Sequence, residues 1–264
     1  MSDGTDSPAS VMRAAAVAGL DVVALTDHDT LSGWNEAEAE AVSLGLRFIP
    51  GVEVSSTSRG VSVHLLAYWP RADDPEFLAM IARTRDERVG RAQEIVRRVS
   101  RDFPITWDAV SAHAESAETV GRPHIADALV STGVMLDRDA AFREILHDGS
   151  PYYVPHYAPQ AVDVVRTVRA GGGVPAFAHP GADGRGRVVP TKAIESMARA
   201  GLVGIEVEHR DHSDAQRERL ARIAERLQLV PLGASDYHGA GKRNRLGENL
   251  TEPEALAALE AARS

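Results

Sequence analysis

Apolar residues fall into two kinds of run along this chain. Short, unbroken β-branched stretches suit strands covered on both faces, and longer stretches with a period near 3.6 suit helices packed on one side. Ser7-Pro8 reads as an N-cap followed by proline at the first helical position, and Gly19 closes that helix. The strand Val22–Leu25 follows at once, then a helix over Trp34–Leu44 stopped by Gly45, a strand over 48–54 with Glu53 near its end, and a strand over 61–68 carrying His64. Helix, strand, helix, strand, strand implies a mostly parallel sheet or barrel.

From Asp74 the pattern changes. Residues 75–101 form a long Arg/Glu-rich helical stretch, with shorter helical segments near 106–115, 122–132 and 137–147 and no convincing strand among them. Residues 75–150 therefore read as an all-helical insertion, large enough for a lid over a pocket, within a discontinuous domain of 1–74 and 151–264. Alternation then resumes. A helix from Pro159 stops at Gly171-Gly172-Gly173, the strand 174–178 leads into His179-Pro180-Gly181, and a helix near 190–200 ends at Gly201. The strand 203–207 leads into Glu208-His209, and the helix 213–227 precedes a strand 229–233 that leads into Ser235-Asp236-Tyr237-His238. A short helix from Pro253 ends the chain.

Composition narrows the chemistry. The 264 residues suffice for one large α/β domain, or one barrel with an insertion. No apolar run approaches the roughly 18 residues of a membrane span, and no signal-peptide pattern opens the chain, so a cytoplasmic location without membrane attachment is the default expectation. With no cysteine, any metal must be held by histidine and carboxylate. A net charge of −9 argues against a basic surface for duplex DNA. It leaves open a small phosphorylated substrate, because bound divalent cations reverse the local field. Lys192 and Lys242 are the only lysines, and neither suggests a function.

The strand ends carry the candidate chemistry: His28, Glu53, His64, His179, His209 and the pair Asp236/His238, with Asp3 at the start. Thr26-Asp27-His28-Asp29 also reads as a helix N-cap, and a lone histidine on a strand is commonly a satisfied core residue. Six strand ends with His or Glu are better explained by shared cations, since imidazole and carboxylate are the ligands of zinc, manganese and iron. Asp236 and His238, two apart, point the same way only in locally extended backbone.

In order, Ser2-Asp3-Gly4-Thr5, Thr26-Asp27-His28-Asp29, Gly51-Val52-Glu53, His64 in VSVHLL, Gly121-Arg122-Pro123-His124, Ala178-His179-Pro180-Gly181 and Ser235-Asp236-Tyr237-His238 resemble the polymerase and histidinol phosphatase (PHP) family, especially its small-nucleotide phosphoesterase branch. The resemblance covers nearly the whole chain. It implies a distorted seven-stranded (β/α) TIM-like barrel with up to three divalent ions at its carboxyl rim, manganese first, with zinc, iron or magnesium as alternatives. By position, Asp3, His28 and His238 resemble one ion's ligands. Glu53 resembles a bridge between two ions, joined by His64 and His179, with Asp236 serving the remaining one. Arg122 and His124 resemble phosphate contacts, and a guanidinium fork suits a phosphate; Gly-Arg-Pro-His also reads as a helix start.

Two departures stand out. Relatives open with a strand ending in His-x-His shortly before Ser-Asp-Gly, whereas this chain opens at Met1-Ser2-Asp3. The expectation is a start assigned too late, the other possibility being a degenerate member. Ala182 follows His-Pro-Gly where relatives often carry arginine, and Arg185 or Arg187 are the substitutes at hand. The implied reaction is hydrolysis of a nucleotide phosphomonoester, such as a 3',5'-bisphosphonucleoside or a short RNA end, by metal-activated water. His209, His212 and His156 are candidates for the leaving-group proton, each equally readable as a supporting or surface residue. A histidinol-phosphate-type phosphatase, a metal-dependent amidohydrolase and a non-catalytic PHP-like module are the alternatives.

Overall fold

The computed structural model describes residues 3–114, 120–147, 149–155 and 157–263, with the side chain of Arg185 outside the description. His156 lies outside it as well. The chain forms two compact units, one of Met1–Asp3 with Ala82–Ala158, the other of Gly4–Ile81 with Pro159–Ser264. No helix among the described residues is long and apolar enough to cross a membrane.

The larger unit is a mixed α/β fold built on one sheet. Its strands are β1 (Val22–Leu25), β2 (Arg47–Ser58), β3 (Val61–Tyr68), β4 (Val174–Phe177), β5 (Gly204–His209) and β6 (Val230–Ala234), hydrogen-bonded in that order. Six strands are present among the described residues, so the expected seventh is not found there. Five of the six run parallel, and β3 alone runs against both its neighbours. The reason is local. Only Arg59 and Gly60 separate β2 from β3, both at positive φ (52° and 73°). That is the two-residue turn whose twist suits a hairpin. His64 therefore stands in the first half of its strand, yet at the level where β4 ends: the Ala178 N–H donates to the His64 carbonyl at 3.1 Å.

Period-two alternation then sorts the faces. Val52 and Val54 of β2, Val63, Leu65 and Ala67 of β3, and Ile205 and Val207 of β5 enter one core, with Val164, Val165 and Val168 of α7 (Ala161–Ala170), Ile194 and Met197 of α8 (Thr191–Ala200) and Leu220 and Ile223 of α9 (Asp214–Leu227). Each such fully buried side chain contributes roughly 1.5–3 kcal/mol. Glu53, His64 and Glu206 belong to the other face. There Leu66, Ala176 and Leu232 form a smaller cluster with Leu259 of the last helix, Pro253–Ala261. The helices α1 (Pro8–Val17) and α2 (Trp34–Leu44) pack with β1 around Met12, Ala15, Ala37 and Ala41. Ser7 caps α1 by accepting the Ser10 N–H, and Gly45 ends α2 in the left-handed region.

The smaller unit contains most of α3 (Pro75–Val99), with α4 (Trp107–Ser111), α5 (Arg122–Ser131) and α6 (Arg138–Glu144), around Ile95, Val99, Ile125 and Leu129. Thr106 and Asp137 cap α4 and α6 through their side-chain oxygens. At the start of α5 the Gly121 N–H donates to His124 Nδ1 at 3.1 Å. Burial pushes the His124 imidazole below its ordinary pKa, against the nearby carboxylates of Asp3 and Asp127.

A histidine buried neutral takes its proton more readily when unfolded, so the stability it confers is lost as pH falls below about 6.5. His124→Gln keeps an acceptor at the third helical position, where glutamine suits a capping role, and removes the titration. Thermal midpoints of the metal-free protein between pH 7.5 and 5.5 are expected to fall less for this variant than for the wild type.

Candidate functional site

Glu53 is the centre of the larger unit's polar face. The β2–β3 register sets Glu53 opposite Leu66 and Ser55 opposite His64, so Glu53 and His64 are diagonal neighbours on one face. From the other side, the chain leaving β1 bridges back at His28↔Glu53. That approach is close: a Cβ at Gly51 would lie 2.7 Å from Thr26 Cγ2, so the position excludes a side chain. Trp34 Nε1 donates to the Gly51 carbonyl at 2.9 Å and fixes the same crossing. Asp29 does not cap α2, whose N-cap is Gly33. Its carboxylate is fully buried and accepts the Ser55 N–H at 2.9 Å.

Three imidazoles converge on the Glu53 carboxylate. His179 Nε2 lies 3.1 Å from Oε1, and His64 Nδ1 lies 2.6 Å from the same oxygen. His28, Glu53 and His64 each offer a ligand atom within 4.8 Å of the others. The rings form a row, His28 to His64 at 4.7 Å, His64 to His179 at 5.2 Å, His179 to His209 at 5.5 Å and His209 to His212 at 5.2 Å between centroids. Burial by itself would push the Glu53 carboxyl up. The charges of His28 and His64 and the hydrogen bond with His179 outweigh it and hold the group well below the usual carboxylate range.

The second cluster follows β6. His238 Nδ1 lies 2.8 Å from the Asp236 carbonyl, which can only accept, so the proton is on Nδ1 and the lone pair of the neutral ring is on Nε2. Lys242 Nζ sits 2.9 Å from Asp236 Oδ2, and His209 Nε2 lies 3.6 Å from that oxygen. Asp29, His179 and Asp236 all have left-handed backbone, at φ 53°, 30° and 48°. Such conformations in non-glycine residues cluster where side chains must be aimed at a common point. The segment after Asp3 is pinned to the same loop, by Thr5 N–H to the His238 carbonyl (3.2 Å) and by Tyr237 Oη to Asp6 Oδ2 (2.7 Å).

The expected residues divide by unit. His28, Glu53, His64, His179, Asp236 and His238 lie together in the larger unit. Asp3, Arg122 and His124 belong to the smaller one, where Asp3 acts electrostatically on His124 and Arg138. Arg122 Nη1 donates to the Leu146 carbonyl at 3.1 Å there, with its guanidinium over the Phe142 ring. Of the proposed proton donors, His212 accepts the Gly181 N–H on Nε2 and lies 2.8 Å from the Val207 carbonyl through Nδ1, so the backbone engages both nitrogens. Arg187, offered as a phosphate contact, donates to the Gly60 carbonyl at 3.0 Å. Glu206 and Lys242 carry no signal in the sequence, and Asp29 stands out there only as the last residue of Thr26-Asp27-His28-Asp29. Glu206 is buried and accepts the His179 N–H at 2.5 Å.

The donor set fits a divalent cation. It is nitrogen and oxygen only, largely buried, and at its centre His64 Nδ1 and Glu53 Oε1 approach to 2.6 Å. A cation accepting both lone pairs would account for that approach.

An α/β scaffold whose strand ends gather histidine and carboxylate around one buried glutamate defines a metal-dependent hydrolase. Comparison with known proteins specifies it further. The PHP domain matches residues 1–129. A 3',5'-nucleoside bisphosphate phosphatase of Chromobacterium violaceum is 32% identical over 245 residues, covering 92% of this chain and 86% of that protein. A 5'-3' exoribonuclease of Haemophilus influenzae is 30% identical over 250 residues, covering 94% and 90%. The solved structure of a Bifidobacterium adolescentis protein assigned as a metal-dependent phosphoesterase superposes with a TM-score of 0.95 at 40% identity, over 99% of this chain and 93% of that one. The chain belongs to the PHP domain family and is a metal-dependent phosphoesterase.

Replacing Glu53 by glutamine keeps the size and the hydrogen-bonding capacity but removes the charge that three imidazoles face. Glu53→Gln is expected to carry at least one divalent ion fewer per chain than the wild type, read by elemental analysis after loading with Mn²⁺ and gel filtration.

Proposed function

We propose that this phosphoesterase hydrolyses nucleotide phosphomonoesters, taking 3',5'-bisphosphonucleosides or short RNA ends as substrates. The observation that carries the reading is the Glu53 cluster, found in a chain that aligns over 92% of its length with a bisphosphate phosphatase. In this reading up to three ions, manganese first, are held by Asp3, His28 and His238, by Glu53 with His64 and His179, and by Asp236. When bound, such ions neutralise phosphoryl oxygens and make water acidic enough to attack at neutral pH.

The protein's own groups do the rest. The proton position on His238 supports its ligand role, and the buried Asp29 and Glu206 carboxylates hold the backbone on which Glu53 and His179 are presented. Arg122 and His124 contact the phosphate in this proposal, on the strength of the family resemblance. The net charge of −9 accords with a small substrate that meets the protein through bound cations rather than through a basic surface.

The test is phosphate release from 3',5'-bisphosphoadenosine with added Mn²⁺, beside a version extended upstream by a His-x-His strand and with ammonia release from amide substrates as the contrast. Turnover of the bisphosphate by either version supports the reading. Ammonia release without phosphate release by both would overturn it. Arg122→Lys keeps the charge and loses the fork, and is expected to lower kcat/KM for phosphate release by roughly tenfold or more.

A further inference from the structure

His209 is the one fully buried histidine of the polar row with no place in the ligand sets above, at 0% exposure. A break in the sheet brings it there. Along β5, Ile205 and Val207 enter the main core and Glu206 the polar face, so a regular strand would return Glu208 to the polar face. The register slips instead. Glu206 pairs with Leu232 and Glu208 with the next residue, Gly233, leaving Val207 as the extra residue of a bulge. Beyond it Glu208 turns out to Arg217, with its side chain 54% exposed, and His209 turns in.

The backbone also decides the ring's tautomer. The Asp211 N–H donates to His209 Nδ1 at 3.0 Å, so that nitrogen carries a lone pair and the neutral ring holds its proton on Nε2. Nε2 is buried without a hydrogen-bond partner, and it faces Asp236 Oδ2 at 3.6 Å. A ring in this state is a donor, not a metal ligand. Its target, Asp236, stands on left-handed backbone (φ 48°) and takes Lys242 on the same oxygen.

We infer that His209 is a positioning residue for Asp236: the bulge in β5 aims it and the Asp211 N–H sets its tautomer. Facing Asp236 Oδ2 across 3.6 Å, its Nε2–H acts on the carboxylate electrostatically and biases the orientation in which it meets a divalent ion. The inference rests on the ligand role given to Asp236 in the proposed function. It assigns His209 no proton transfer, and it adds a determinant of metal affinity that touches neither ion nor substrate.

Two substitutions separate the donor from the fold. The shorter amide of His209→Asn reaches the place of Nδ1, where its oxygen can accept the Asp211 N–H, but it puts no donor at the place of Nε2. The longer amide of His209→Gln does. Mn²⁺ binding to metal-free protein is measured by calorimetry, with thermal midpoints recorded on the same samples and Asp236→Asn in parallel. His209→Asn is expected to weaken one class of Mn²⁺ site by about 10–100-fold, and His209→Gln to recover most of that affinity. Equal affinities for His209→Asn and wild type, with Asp236→Asn impaired, would overturn the role of His209 while leaving the metal centre standing. Unimpaired binding by Asp236→Asn would overturn the ligand role beneath it. Equal impairment of the two His209 variants, following their loss of thermal stability, would also overturn the inference, because a purely structural role predicts that pattern.

Discussion

A carboxylate at the centre of a folded domain must be compensated, and the larger unit of this protein is arranged around one such compensation. Glu53 is 7% exposed and meets His64 and His179 directly, with His28 beside it. Desolvating a lone carboxylate would favour its neutral form. Here the surrounding imidazoles overcome that tendency, and the anion persists. The supporting contacts follow from that requirement. Gly51 lets β1 and β2 close together, Asp29 fixes Ser55 two residues beyond Glu53, and Glu206 holds the backbone of His179. None of these contacts is required to close the hydrophobic core. All of them limit how far the four central side chains can move, which is the preorganisation a metal centre needs.

Strand direction is the second constraint. Parallel strands naturally deliver residues to a common rim through the loops that follow them. His28, His179, Asp236 and His238 arrive that way. His64 comes from inside a strand, and it arrives because the Arg59-Gly60 turn reverses β3 and places its first half at that level. His209 arrives through a third device, the bulge at Val207. One face of one sheet is thus populated by loop ends, by a reversed strand and by a register slip, all converging on the same row of rings.

Much of this was legible in the sequence, for identifiable reasons. Apolar runs closed by His, Asp or Glu gave the strands and the chemistry together, and the helix over Trp34–Leu44 was bounded correctly because Gly45 is an unambiguous stop. Histidine and carboxylate residues on polar loop ends stand out against apolar neighbours. What escaped was whatever depends on register or on contacts distant in sequence. Residues 48–54 read as a strand ending near Glu53, but β2 runs on to Ser58 because β3 pairs with it along its length. The reversal of β3 hides in two turn residues. Glu206 alternates like any strand residue, and Lys242 carried no local signal, since its partner Asp236 lies across a turn. His212 looked as available as His209. Only the backbone groups at Gly181 and Val207 show that its nitrogens are engaged.

The central claim is that the Glu53 cluster holds divalent ions. Crystals grown with Mn²⁺ and measured on the high-energy side of the manganese absorption edge test it most directly, because the anomalous signal of the ion exceeds that of the five methionine sulfurs and falls away below the edge, where theirs persists. The account predicts strong anomalous peaks within bonding distance of Glu53, at about 2.0–2.3 Å from its oxygens and from imidazole nitrogens of its neighbours. Peaks confined to surface carboxylates, with Glu53 and its histidines in direct contact and no anomalous density between them, would contradict it.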